Sequence, residues 1–262
     1  MELMDLVTGR TRILVEGSWL ENQTELIRDN TPIEITEEMQ AVAQARFESR
    51  KAKNPALFDG DVLSLDMEKS KFQPGAAVFV VKGPMKYSVY DVMRRENIEK
   101  MNWRNFPIGT GLSVVAVSAD QKMIMQATSA YVDFPDKLAL VGGIYDGGTP
   151  FECMRKELEE EMGIPKDEIK EMRLIGVSNR LEERINHEFQ FLTQVSMTSE
   201  QIKKTAETAK DKEGRLFFLD VSPQTIREFL MNNRPKITAN NFGCLILSGR
   251  HLWGKEWSEI PG

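Results

Sequence analysis

From Leu112 to Ser118 the chain reads LSVVAVS, an apolar run of strand length. A polar turn at Asp120-Gln121-Lys122 separates it from a second run, Met123 to Gln126. Short apolar runs bounded by turn residues predict buried strands. Lys137 to Val141 (KLALV) is a third, which Gly142-Gly143 should halt. The period then changes. Phe151, Met154, Leu158 and Met162 recur at helical spacing, so Pro150 to Met162 is expected to be a helix. Thr149 suits its N-cap, Pro150 its first turn and Gly163 its stop. Strands are expected at Met172 to Val177 and at Glu188 to Val195, the latter with Phe189 and Phe191 on one face. A polar helix should open at Thr198 or Ser199 and run to about Lys210. Leu216 to Leu219 reads as a short strand, Pro223 to Met231 as a helix, and Ala239 to Leu252 as a final helix or buried segment.

The first 108 residues are less regular. Thr11 to Val15 and Val62 to Leu65 predict strands, and Thr36 to Lys53 a helix. Ala76 to Val81 predicts a strand ended by Gly83-Pro84, and Tyr87 to Lys100 a helix. Strands interleaved with helices imply an α/β fold, a sandwich with a mixed sheet. There is no internal repeat and no low-complexity linker. The expected division is therefore an α/β extension over residues 1–108, packed on a main domain over residues 109–262 and helping to build its pocket.

Composition narrows the chemistry. A 41% hydrophobic fraction supports a sizeable core, and 28% charged residues argue against wholesale disorder. The net charge of -6 disfavours nucleic acid or an anionic membrane as partner. No apolar run approaches the roughly 18 residues that span a bilayer. Met1 to Arg10, with Glu2 and Asp5, lacks the pattern of a secretory signal. Cys153 and Cys244 have no pairing or metal-type spacing, which points to a reduced, cytoplasmic protein. His187 and His251 are the only histidines and lie far apart in sequence. A zinc site is thus disfavoured, and any metal should be a hard cation bound through oxygen.

Such a site has one strong candidate. Gly142 to Ile164 reads GGIYDGGTPFECMRKELEEEMGI, with Glu157, Glu160 and Glu161 spaced i, i+3, i+4 beside the apolar stripe. Carboxylates on one helix face repel one another unless a cation compensates, and magnesium or manganese would do so. The competing reading is a solvated glutamate face. The preceding Gly-Gly pair favours the first, because bare backbone can closely approach a cation or phosphate.

This stretch resembles the Nudix box, G-x5-E-x7-R-E-U-x-E-E-x-G-U with U bulky and aliphatic. Lys156 stands at the arginine position, and Glu157, Leu158, Glu160, Glu161, Gly163 and Ile164 fall in register. The loop is one residue shorter, and Gly148 or Thr149 stands where the pattern has a glutamate. In the family that glutamate pairs with the arginine. With both altered here, Lys156 is expected to be free to reach solvent. Several further segments resemble Nudix proteins that hydrolyse UDP-glucose and UDP-galactose to UMP and sugar 1-phosphate. They are Asn54 to Gly60 (NPALFDG), Tyr87 to Trp103 with Tyr90 and Asp91, Pro107 to Gly109, Glu188-Phe189, MTSEQIKK (197–204) and Gly214 to Phe218.

The resemblance implies an α/β/α Nudix sandwich acting on the diphosphate of a nucleotide conjugate. Magnesium, with manganese as a substitute, would be held by Glu157, Glu160 and Glu161 with a Gly142 or Gly143 carbonyl. It implies Glu161 or Glu213 as general base, although Glu213 also reads as a solvated turn residue. Arg180 either clamps a phosphate or belongs to a charged surface run, and Asp146 either assists the metal or caps the turn. Phe58, Tyr90 and Trp103 are potential stacking residues. Phe58 is expected to be core, and Tyr90 is left open between the two roles. The rival readings are an ADP-ribose or dinucleotide pyrophosphatase and a catalytically silent nucleotide sensor. The oligomer is expected to be a monomer or homodimer.

Overall fold

The computed structural model describes residues 10–31, 33, 35–55, 57–93, 108–129, 136–180, 186–211 and 213–259. Strands are Thr11–Trp19 (β1), Thr24–Asp29 (β2), Asp61–Leu65 (β3), Lys71–Gln73 (β4), Ala76–Lys86 (β5), Thr110–Val117 (β6), Lys122–Thr128 (β7), Leu138–Ala139 (β8), Val141–Ile144 (β9), Ile169–Arg180 (β10), His187–Val195 (β11) and Gly214–Asp220 (β12). Helices are Glu37–Lys51 (α1), Tyr87–Met93 (α2), Pro150–Met162 (α3), Ser199–Ala206 (α4), Pro223–Asn233 (α5) and Ala239–Trp253 (α6). The expected polar helix thus ends at Ala206, short of Lys210. That predicted from Tyr87 is described to Met93, and its remainder, with Trp103 and Pro107, lies outside the described residues.

Among the described residues an eight-stranded mixed sheet runs β1-β10-β11-β6-β7-β12, with β9 paired to β6 and β8 to β7. Only the β11–β6 pair in it is parallel. Alternation along β6 sorts its side chains. Leu112, Val114 and Ala116 meet Phe151, Met154 and Leu158 of α3, together with Leu63 and Phe79 from a second sheet. Val115 and Val117 meet Ile226 and Leu230 of α5 and Phe242 and Leu245 of α6. Helices therefore cover both faces, and the expected α/β/α arrangement with a mixed sheet is found.

The second sheet, β2-β5-β3 with β4 on β5, carries α1 and α2, whose Ala43, Phe47, Tyr87 and Tyr90 form a third core cluster. The two sheets do not divide near residue 108, since β1 is an edge strand of the larger one, paired with β10.

Two expected strand ends are instead passed through. β5 continues across Gly83-Pro84 because both residues stand against Leu63 alone. Met85 pairs with Val62 and Lys82 with Ser64, a bulge that absorbs the missing proline N–H. β9 runs through Gly142-Gly143, with Gly142 opposite Ser113 and Gly143 opposite Leu112. These glycines serve close approach, not a turn. A Cβ at Gly142 would lie 2.2 Å from the Leu112 carbonyl oxygen, and one at Gly143 2.2 Å from Glu157 Oε1. β2 and β4, short and polar, had no apolar run to announce them.

Candidate active site

α3 is fixed at both ends by local chemistry. Thr149 Oγ1 accepts the Glu152 N–H at 3.1 Å, and Glu152 Oε2 accepts the Thr149 N–H at 2.7 Å. Gly163 stops the helix at φ 63°, a left-handed conformation that suits glycine. Its buried stripe then sets how the glutamates face. Glu161 is 5% exposed; its Oε1 accepts the Gly142 N–H at 3.1 Å and its Oε2 the Gln126 amide at 2.7 Å. Glu157 lies against the bare Cα of Gly143. Glu160 turns outward, its carboxylate 2.5 Å from Lys210 Nζ.

Glu161 is buried and Glu157 half-buried, and partial loss of water raises both carboxyls. Burial raises the Glu157 carboxyl to about 7, assisted by Glu160 and Glu213 against the opposing pull of Lys156. Glu161 is pushed well above the ordinary carboxylate range by burial and then by Glu213, against its hydrogen bonds from Gln126 and Gly142. Glu213 is thus close enough to act on both. As they stand, no three such groups among the described residues converge closely enough to hold one metal ion. The donor set is nevertheless all oxygen and short of positive charge, which fits a hard divalent cation.

Asp146 and Lys156 are paired, Nζ to Oδ2 at 2.9 Å, and Cys153 Sγ also donates to Asp146 Oδ1 at 3.4 Å. This corrects the expectation that Lys156 is free. Asp146, earlier in the loop than Gly148 or Thr149, takes up the base on the helix. Both side chains are nearly half exposed, so Lys156→Ala should cost well under about 1 kcal/mol in urea unfolding. A larger loss would mean that the pair carries the loop.

Glu157, Asp146, Glu213, Gly142, Tyr90 and Arg180 all border one cavity of about 980 Å³, between the main sheet and the loop before β3. Glu160 and Glu161 do not line it. Tyr90 is 5% exposed and packed edge-on to Tyr87; its ring lies over Gly109, where a Cβ would come within 2.4 Å of it. Arg180 is buried, not part of an exposed charged run. Phe58, expected in the core, is 80% exposed on the cavity rim. Its loop is pinned from outside: Asp59 accepts the Ser88 N–H at 2.7 Å and hydroxyl at 3.0 Å, and the Tyr87 N–H donates to the Gly60 carbonyl at 2.8 Å.

The sequence reading missed a polar cluster on the opposite wall. Glu188, 6% exposed, accepts the Ser113 hydroxyl and the amides of Asn186 and Asn240, each at 2.8 Å. Two signals were present: polar Glu188 and Gln190 alternating with Phe189 and Phe191 in β11, and Asn240-Asn241 opening an otherwise apolar helix. Burial raises Glu188 to about 7, against those hydrogen bonds and the charge of Arg180. Between about 4.5 and about 7, then, the folded protein keeps a proton that the unfolded chain has released. Stability from this group is present at low pH and lost as pH rises through that window. Glu188→Gln cannot ionise, so it should gain on the parent by about 3 kcal/mol between about pH 4 and about pH 8. His187, lowered by burial to about 4, titrates in the opposite sense in both proteins and cancels in the comparison. Denaturant unfolding at the two pH values checks this; a constant difference would contradict it.

No protein-family model and no curated protein matches the chain. Solved structures with similarity include a NUDIX hydrolase from Nitrosomonas europaea, 15% identical with a TM-score of 0.40, the match covering 55% of this chain and 88% of that one. An ADP compounds hydrolase is 15% identical with a TM-score of 0.41, covering 58% and 75%. A bifunctional NMN adenylyltransferase/ADP ribose pyrophosphatase from Francisella tularensis, complexed with AMP and a manganese ion, is 14% identical with a TM-score of 0.40, covering 63% and 49%. At such scores the likeness is partial, and the functional reading rests on the site itself.

Proposed function

We propose that the chain is a divalent-cation-dependent hydrolase of the Nudix type that cleaves the diphosphate of a nucleoside diphosphate conjugate. The substrate class is UDP-glucose or UDP-galactose, cut to UMP and sugar 1-phosphate. The observation that carries this reading is a cluster of mutually repelling acids: Glu157 and Glu213 at the wall of a nucleotide-sized cavity, with Glu161 buried close enough to act on Glu213. A bound magnesium ion, or manganese in its place, would neutralise diphosphate oxygens and acidify a water molecule.

Glu157 and Glu161 would hold that ion, with the Gly142 carbonyl and with Glu160 once released from Lys210. The proton of the attacking water goes to a carboxylate oxygen of Glu161 or Glu213. Glu213 borders the cavity, whereas Glu161 is held by Gln126 and the Gly142 N–H on its two oxygens, so Glu213 is the better placed to meet that water and Glu161 to hold the ion. Arg180 offers positive charge at the cavity wall for a phosphate oxygen. Tyr90 shapes the wall beside Gly109, and Asp146, tied to Lys156, holds the loop between β9 and α3 onto the helix.

The substrate is tested by comparing kcat/KM for UDP-glucose and ADP-ribose at saturating magnesium. The expected ratio strongly favours UDP-glucose, since buried polar groups matched to one ligand reject another. A ratio favouring ADP-ribose would remove the UDP-sugar assignment and leave the hydrolase class standing. Absence of turnover with either, alongside nucleotide binding, would favour the silent sensor.

A further inference from the structure

Phe58 stands out among the described residues. The exposed large hydrophobics there are Ile27 at 43%, Val42 at 47% and Phe58 at 80%, and of these Phe58 alone borders the cavity. Leaving a phenylalanine ring in water forgoes the favourable burial that normally draws it inward. Its position is held, not accidental. The Leu57 N–H donates to the Asn54 carbonyl at 3.0 Å, and Asp59 and Gly60 are bonded to the first two residues of α2. Gly60 leaves room for the ring, since a Cβ there would come within 3.2 Å of Phe58 Cδ1 and Cε1. The cavity lining also includes the polar side chains of Lys53, Asn54, Asp61 and Lys86.

A flat apolar ring at the mouth of a polar cavity complements a group that is apolar on its faces and polar at its edges. A heteroaromatic base has that character, and stacking on an aromatic side chain satisfies its faces. We propose that Phe58 is the stacking platform for the nucleobase of the substrate, held out by the tethered Asp59 and Gly60 beside it. This deepens the function proposed above and rests on it. A phenyl ring neither titrates nor ligates a cation, so its role is in affinity and not in bond cleavage. The edges of the base would turn toward the polar side chains of the mouth, and its ribose and diphosphate inward.

The test uses the full chain. Phe58→Ala and Phe58→Leu should each raise the KM for UDP-glucose about tenfold, equivalent to about 1.4 kcal/mol, with kcat little changed and Tm unaltered. Phe58→Tyr should stay near the parent, because it keeps the flat face. Leu separates stacking from mere apolar contact. Independently, the indole fluorescence of Phe58→Trp, taken as the difference from the parent chain, should be quenched by UMP and unaffected by glucose 1-phosphate. Calorimetry with UMP and AMP on the parent chain keeps the two proposals apart. If UMP binds the parent and Phe58→Ala equally, or glucose 1-phosphate alone quenches Phe58→Trp, the stacking role is overturned and the function stands. If neither nucleotide binds the parent, both are overturned.

Discussion

Glu161→Gln should lose turnover by about two orders of magnitude or more while its Tm holds or rises. The amide keeps the size and one acceptor of the carboxylate. The Gly142 N–H retains its partner, and the Gln126 amide, 2.7 Å away, can turn its oxygen to the new N–H. What disappears is a carboxyl whose ionisation is opposed by burial and then by Glu213 and Glu157. Removing it relieves the fold and disables the proposed site. A folding assay and a turnover assay on the same sample should therefore move in different directions. Turnover close to that of the parent, with magnesium saturating, would place the helix among ordinary solvated faces.

The two glycines of β9 allow a sharper separation of fold from function. Gly143→Ala directs its methyl into the Glu157 carboxylate, the far end of a flexible side chain that can swing aside. Stability should change by less than about 1 kcal/mol, as for ordinary substitutions that a side chain can relieve. Turnover should fall steeply, because Glu157 can no longer lie against the strand. Gly142→Ala directs its methyl into the Leu112 carbonyl oxygen, 2.2 Å away, which is backbone of the central strand and cannot yield cheaply. That variant should lose several kcal/mol or fail to fold, as overpacking in a rigid core does. Thermal melts of both, with rates on Gly143→Ala, check the pair. Equal losses of stability would show that the Glu157 side chain is as immobile as the backbone.

Legibility in the sequence followed how local each cause was. α3 was readable to the residue because Thr149, Pro150 and Gly163 act within one turn of it. The buried strands were readable because their apolar runs need no distant partner to explain them. The three glutamates were visible as a group, but not their differing fates. Glu161 turns to Gln126 and Gly142, Glu160 to Lys210, and these partners lie 19 to 50 residues away. Gly142-Gly143 looked like a stop because glycine punctuates turns more often than it admits a neighbour. Only the packed structure shows Leu112 and Glu157 in the space. Phe58 was misplaced for a related reason. Hydrophobicity predicts burial, whereas Asp59 bonded to Ser88 holds this ring outward. Glu188 and Asn240 were missed because each is polar within an otherwise apolar element, and their meeting spans 52 residues of chain.

The most direct test of the central claim is product analysis by mass after incubating the full chain with UDP-glucose across a magnesium titration. The account predicts UMP and glucose 1-phosphate at a rate that saturates with magnesium, vanishes with chelator and collapses in Glu161→Gln. Turnover that survives both the chelator and Glu161→Gln, or no cleavage of any nucleoside diphosphate conjugate at any magnesium concentration, would contradict it.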